Sequence, residues 1–218
     1  MKARIDAIIR REQAEYLDRI LPASTGVAEE MERFAEEHGV PIADREVAKF
    51  LEITVRATNA RLVLEVGTAI GYAVLHLARG MPEDGRVVTI DTSEEMIARA
   101  TSFLARAGVA ERVRFERGPA LEVIPRLAET FDMLYIDAVK EEYVGYLDAA
   151  LPLLRVGGVV VVDNLLWGGQ VAGEIRDASQ TASTQALREF NQQFVRHPQL
   201  VAEVLAVGDG LGYGVKVS

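Results

Sequence analysis

Over roughly its first sixty residues the chain sets apolar positions three and four apart, the spacing of amphipathic helices, at 5–21, 27–38 and 45–58. Pro22 and Pro41 stand between these runs, where a residue without a backbone N–H ends a helix. After residue 60 the period changes. Short aliphatic runs at 62–66, 87–91, 113–117, 133–137 and 159–163 alternate with helical patterns at 71–79, 93–107, 120–128 and 141–151. Strands that alternate with helices predict a parallel sheet covered on both faces. A last helix is expected over 184–196, then two β-like runs at 201–207 and 212–217. Only Gly208, Asp209, Gly210 and Leu211 separate these two, too few residues for a parallel crossover, so they predict an antiparallel hairpin. The expected fold class is α/β: a doubly wound, mostly parallel sheet with a C-terminal antiparallel hairpin and N-terminal helices. A single domain is expected, with residues 1–60 as a helical extension packed on a core of 61–218. There is no internal repeat and no low-complexity segment.

Composition narrows the class further. The 218 residues suit one α/β domain, and 49% hydrophobic with 26% charged residues is the balance of a globular enzyme. The absence of cysteine excludes disulfides, thiolate metal sites and cysteine nucleophiles. Lys2, Arg4, Asp6, Arg10 and Arg11 interrupt the N-terminal apolar residues, and the aliphatic run Val159 to Val162 is far too short to span a bilayer. No membrane association is therefore expected, and a cytoplasmic location is. The net charge of -9 argues against a broad electrostatic grip on nucleic acid but leaves room for a local basic patch at Lys2, Arg4, Arg10 and Arg11.

In doubly wound sheets ligands sit outside the carboxyl ends of the strands, and the candidate chemistry stands there. The first strand runs into Glu65-Val66-Gly67-Thr68-Ala69-Ile70-Gly71-Tyr72, whose two glycines let the backbone turn tightly and approach a ligand. This is not the G-x-G-x-x-G spacing of a dinucleotide site. It suits a nucleoside ligand without a pyrophosphate, such as S-adenosylmethionine. The second strand ends in Asp91, placed to accept hydrogen bonds from ribose hydroxyls, and the third leads to Gly118-Pro119-Ala120, small residues that leave a slot for adenine. The fourth and fifth end in Ile136-Asp137-Ala138-Val139-Lys140 and Val162-Asp163-Asn164. Adjacent strand ends would bring Asp137, Asp163 and Asn164 together as oxygen ligands, a hard donor set that favours Mg²⁺ or another divalent cation over zinc. Lys140, three residues after Asp137, is placed to act as a general base on an oxygen held there; a solvated helix-start lysine is the bland alternative. His38, His76 and His197 have no ligand spacing, and Trp167 either walls a substrate pocket or belongs to the core.

Four ordered motifs carry a resemblance that extends over nearly the whole chain. They are Leu64-Glu65-Val66-Gly67-Thr68 with Gly71-Tyr72, Tyr135-Ile136-Asp137-Ala138-Val139-Lys140, Asp163-Asn164-Leu165-Leu166-Trp167-Gly168-Gly169, and Val207-Gly208-Asp209-Gly210-Leu211. The chain resembles the catechol- and caffeoyl-CoA-type class I O-methyltransferases. The resemblance implies methyl transfer from S-adenosylmethionine, metal ligation by Asp137, Asp163 and Asn164, a base at Lys140, and cofactor contacts from Glu65, Gly67, Thr68, Asp91, Ala120 and Asp137. The family often has serine where Ala73 stands, so a cofactor contact at Ala73 falls to its backbone. Pro119, counted with the cofactor slot, replaces an acid common in bacterial members, and Val139 stands where a second acid is frequent. The block Ala35-Glu36-Glu37-His38-Gly39-Val40-Pro41-Ile42 and His197-Pro198 look most like the bacterial tRNA hydroxyuridine methyltransferases, which puts Ala43 beside the cofactor. The acceptor so implied is 5-hydroxyuridine at the tRNA wobble position, with tRNA as partner; a small catechol-like molecule is the alternative, and a homodimer is expected. A binding protein without turnover conflicts with the intact Lys140 and ligand set. A nicotinamide dehydrogenase lacks its glycine fingerprint.

Overall fold

The computed structural model describes residues 11–218. Residues 1–10, which hold the start of the expected first helix and Lys2, Arg4 and Arg10 of the expected basic patch, lie outside the described residues, as does the Arg11 side chain. Three helices come first: α1 (Arg11–Ile20), α2 (Val27–His38) and α3 (Arg45–Thr58). Gly39 and Asn59 end α2 and α3 in the left-handed conformation, the usual way a chain leaves a helix. Then follow β1 (Leu62–Val66), α4 (Tyr72–Gly80), β2 (Arg86–Asp91), α5 (Glu94–Arg106), β3 (Val113–Arg117), α6 (Ala120–Val123) and β4 (Phe131–Ile136). The remainder is α7 (Tyr143–Ala150), β5 (Leu154–Val162), α8 (Thr181–Phe194), β6 (Leu200–Leu205) and β7 (Leu211–Lys216).

Two expected helices are shorter than their apolar periods suggest, and proline is the reason in both. The run at 120–128 is helical only to Val123 and continues as a 3-10 turn, Ile124–Arg126, because Pro125 has no N–H to continue an α-helix. The run at 141–151 opens with a 3-10 turn, Lys140–Glu142, and α7 stops at Ala150, two residues before Pro152. β5 extends back to Leu154, beyond the aliphatic run at 159–163 that announces it, and ends one residue before Asp163.

The seven strands form one sheet in the order β3-β2-β1-β4-β5-β7-β6. The first five are parallel; β7 pairs antiparallel with both β5 and β6. Side chains alternate between two cores, as the two-residue strand period requires. Val63, Val87, Met133, Val159 and Val161 face one core with Met31, Leu51, Leu75 and Phe103 of α2, α3, α4 and α5. Leu64, Val88, Leu134, Val160 and Val162 face the other with Ala120, Tyr143 and Phe190 of α6, α7 and α8. The N-terminal helices α2 and α3 thus share a core with the sheet. Among the described residues no helix is long and apolar enough to cross a membrane.

Chain order reverses between β1 and β4, since β2 and β3 extend the sheet one way from β1 and β4 and β5 the other. A crevice opens at the carboxyl ends of strands where connections depart to opposite faces.

Candidate active site

The strand ends are tied to one another by backbone bonds that continue the ladder one step past each strand. Gly118 N donates to Asp91 O, Gly67 N to Ile90 O, Asp137 N to Val66 O and Asp163 N to Ile136 O, all at 2.9–3.0 Å. These bonds set Asp91, Gly67, Asp137 and Asp163 in one row. Gly67 is required there: its φ is +101°, and a Cβ on it would stand 2.1 Å from the Asp137 carbonyl oxygen.

Above the row lies a cavity of about 750 Å³, within the range that holds small ligands and cofactors. Its walls include Gly67, Thr68, Ala69, Ala73, Asp91, Ala120, Asp137, Lys140, Asp163 and Asn164, with Pro41, Ile42, Ala43 and Asp44 forming a lip from the turn before α3. Most residues singled out in the sequence therefore meet in one place. Glu65 and Pro119 stand outside the wall. Glu65 is fully buried behind the glycine loop, where its carboxyl accepts from the Thr89 hydroxyl, itself bonded to that of Thr68. Burial first, then the charges of Asp137 and Asp91 against the opposing Thr89 hydrogen bond, push Glu65 well above the usual glutamate range, which favours its neutral form.

Asp91 has a task beyond the one its position suggested. One carboxylate oxygen accepts from Thr68 N (3.1 Å) and Ala69 N (3.0 Å), the other from Ser93 N (2.8 Å). It braces the turn at Ala69, whose φ of +44° is costly for a residue with a Cβ. Asn164 and Trp167 also have positive φ and also line the cavity. Strain of this kind persists only where surrounding structure holds it.

At the β4 and β5 ends the side chains form a connected set. Lys140 Nζ donates to Asp137 Oδ1 (2.8 Å) and to the Tyr143 hydroxyl (2.7 Å), which in turn donates to the Asp163 carbonyl (3.2 Å). The ammonium lies 5.0 Å from the Tyr143 ring centre and 5.7 Å from that of Trp167. Asp163 Oδ2 accepts from the Tyr135 hydroxyl (3.2 Å) and Oδ1 from Asn164 N (2.6 Å). Burial and, after it, the Asp137 charge push the Asp163 carboxyl far above the usual aspartate range. Two carboxylates brought together in a buried place are short of positive charge, and Lys140 is the cation among the wall residues. With the Asn164 amide they form an all-oxygen donor set, which fits a hard divalent ion. Among the described residues no group of three or more His, Cys, Asp or Glu gathers to hold a metal, so the candidate set is two acids and an amide.

Sequence reasoning missed Asp44, Tyr72, Tyr135, Tyr146 and Asp209 in the wall and Tyr143 behind Lys140. Tyr135 and Tyr143 had a readable signal, since one sits two residues before Asp137 on the same strand face and the other three after Lys140 across one turn. Asp44 and Asp209 sit in connections with no period to read. The Asp209 carboxylate accepts from Gly168 N (3.1 Å) and so fixes the loop that carries Trp167.

Residues 25–217 match the O-methyltransferase family. The chain is 42% identical over 158 residues to the catechol O-methyltransferase of Mycobacterium tuberculosis, covering 72% of this chain and 70% of the relative. It is 32% identical over 173 residues to caffeoyl-CoA O-methyltransferase 5 of Nicotiana tabacum, covering 75% and 72%. Among solved structures it is similar to the O-methyltransferase TomG of Streptomyces achromogenes, involved in tomaymycin synthesis and determined with S-adenosylmethionine bound: TM-score 0.83, 32% identity, 95% of this chain and 96% of that one. A methyltransferase sheet with a cavity at its switch point, matched to the family over nearly its full length, makes this chain a member of the O-methyltransferases, an S-adenosylmethionine-dependent enzyme of the catechol and caffeoyl-CoA type.

Proposed function

We propose that the enzyme methylates one of two adjacent oxygens on a small catechol-like acceptor and that it does so with a divalent cation, Mg²⁺ in the first instance, held by Asp137, Asp163 and Asn164. The observation that carries this reading is the juxtaposition at the ends of β4 and β5: two carboxylates and an amide beside a lysine, in a cavity continuous with the glycine loop. When bound, the cation would supply a fixed positive charge that lowers the pKa of an acceptor hydroxyl. The chain's own residues do the rest. The Gly67–Ala69 turn and Asp91 bind the nucleoside of the methyl donor, with Ala43, Ala73 and Ala120 as close neighbours and Glu65 and Pro119 supporting from behind. Lys140, steadied by Tyr143, would take the acceptor proton at Nζ as the neutral amine, the form that a bound cation beside it favours, and Trp167 and the lip at Pro41–Asp44 exclude water.

Similarity to a catechol O-methyltransferase favours the small acceptor. The 5-hydroxyuridine of tRNA presents a comparable pair, its 5-hydroxyl beside its 4-carbonyl, and remains the second acceptor on the strength of Ala35–Ile42 and His197-Pro198. Purified protein with S-adenosylmethionine is to be offered catechol and hydroxylated tRNA in parallel, with Mg²⁺ and with EDTA. Catechol methylation that EDTA and Asp163→Ala abolish is expected, and Lys140→Met should lower kcat by about 10²- to 10⁴-fold. Activity indifferent to EDTA and Asp163→Ala eliminates the metal; methylation of tRNA alone reassigns the acceptor.

A further inference from the structure

The cavity wall carries five carboxylates, Asp44, Asp91, Asp137, Asp163 and Asp209, against one ammonium, Lys140. Four of the five have partners: backbone N–H groups bond Asp91, Asp163 and Asp209, and Lys140 pairs with Asp137. Asp44 differs. It occupies the N-cap position of α3, where aspartate ordinarily accepts from the first turn of the helix, yet its side chain makes no cap hydrogen bond. Among the described residues its carboxylate has no hydrogen-bond partner, and it is exposed at the lip. The backbone of the β6–β7 connection seats it there: a Cβ on Gly208 would lie 3.2 Å from Asp44 Oδ2. Asp44 lines the same cavity as Asp137 and Asp163. A residue that breaks a local rule without local compensation is a candidate for a functional or a strained position.

An acceptor whose two oxygens lie at the floor beside Asp137 and Asp163 directs the opposite end of its ring to the mouth. We propose that Asp44 is a specificity-determining residue that selects acceptors by charge, favouring a vicinal dihydroxy aromatic with an ammonium substituent over one with a carboxylate. The proposal rests on the catechol-like acceptor reading. Stabilising the α3 dipole, which an N-terminal aspartate also does, would not depend on the acceptor.

Three probes share the same hydroxyl pair: 3,4-dihydroxyphenethylamine, catechol and 3,4-dihydroxybenzoate. The ratio of kcat/KM for the amine to that for the acid is expected to be about tenfold or more, the size of effect a unit charge exerts across a partly wet cavity. Asp44→Asn should reduce the ratio by about that factor, Asp44→Lys should invert it, and added salt should shrink it in the wild type. Calorimetric binding of the amine and the acid to protein loaded with Mg²⁺ and S-adenosylhomocysteine should rank them alike without turnover. A ratio, or a binding ranking, that is the same in wild type and Asp44→Lys overturns the proposal. If no probe is methylated, the catechol reading fails and the binding ranking alone decides the charge selection; absence of binding by all three overturns both.

Discussion

Asp91 offers a test that separates bracing from ligand binding. Asp91→Ala removes the acceptor of three backbone N–H groups, those of Thr68, Ala69 and Ser93, from the turn that shapes the proposed nucleoside site. Thr68 is buried, whereas Ala69 and Ser93 are part-exposed and can turn to water. A buried donor left unpaired costs about 1–3 kcal/mol, and hydrogen bonds to a charged acceptor contribute about 1.5–3 kcal/mol each when well shielded. Discounting the two wetter bonds gives a loss of roughly 2–4 kcal/mol, or roughly 4–16 °C in Tm for a chain of this size. Asp91→Asn keeps one oxygen for Thr68 and Ala69 and faces Ser93 N with an amide, so its cost should be about half. Urea denaturation without ligand gives the stability, and calorimetry with S-adenosylhomocysteine gives the affinity. Both should fall together in Asp91→Ala, with Asp91→Asn between it and the wild type in stability. Wild-type stability with lost affinity would refute the bracing role; lost stability with intact affinity would remove Asp91 from the nucleoside site.

Two further outcomes are expected. The buried Glu65 holds its proton in the folded chain and releases it in the unfolded chain above the ordinary glutamate value, so it contributes stability at low pH that is lost as pH rises toward its folded pKa, at about 1.4 kcal/mol per pH unit. Glu65→Gln has no such proton and should gain in Tm relative to wild type as pH rises above the ordinary glutamate value; melting curves that stay parallel over that rise would contradict the assignment. Tyr143→Phe takes away the hydroxyl that holds Lys140 Nζ and the donor to the Asp163 carbonyl, and should lower kcat by about tenfold with cofactor affinity nearly unchanged. An unaltered kcat would show that Asp137 alone positions the lysine.

The sequence carried the parts of the fold that rest on periodicity. β1, β3, α2 and α3 begin and end at the residues where the apolar pattern does, because each pattern is bounded by a residue type that stops it, as Gly39 stops α2. β5 was legible only from Val159, since Arg155, Val156, Gly157 and Gly158 break the alternation that marks a strand, and only pairing with Phe131 on β4 draws Leu154 into the sheet. The strand-end acids were readable because a parallel sheet places carboxyl ends side by side whatever the details of packing. The bracing role of Asp91 was not, for it depends on the turn at Ala69 folding back over the carboxylate. Asp44 was the least visible: an aspartate before a helix reads as a cap, and only the three-dimensional path of residues 207–210 turns it toward the cavity.

The order of strands also sets the order in which the site can be completed. β5, which leads to Asp163 and Asn164, lies next to β7, and the two pair over Val159 to Val162. The loop beyond β5 is pinned by the connection that precedes β7, through Leu165 N to Gly210 O (2.9 Å) and Leu166 N to Asp209 O (2.8 Å). During synthesis from the N-terminus every other strand of the parallel sheet can find its neighbours first, while β5 keeps one edge open until some fifty later residues have been made. An open edge is a template for wrong pairing. The loop that carries Asp163 and Asn164 is therefore fixed only once the C-terminal hairpin has been made, and until then the open edge of β5 lies beside it.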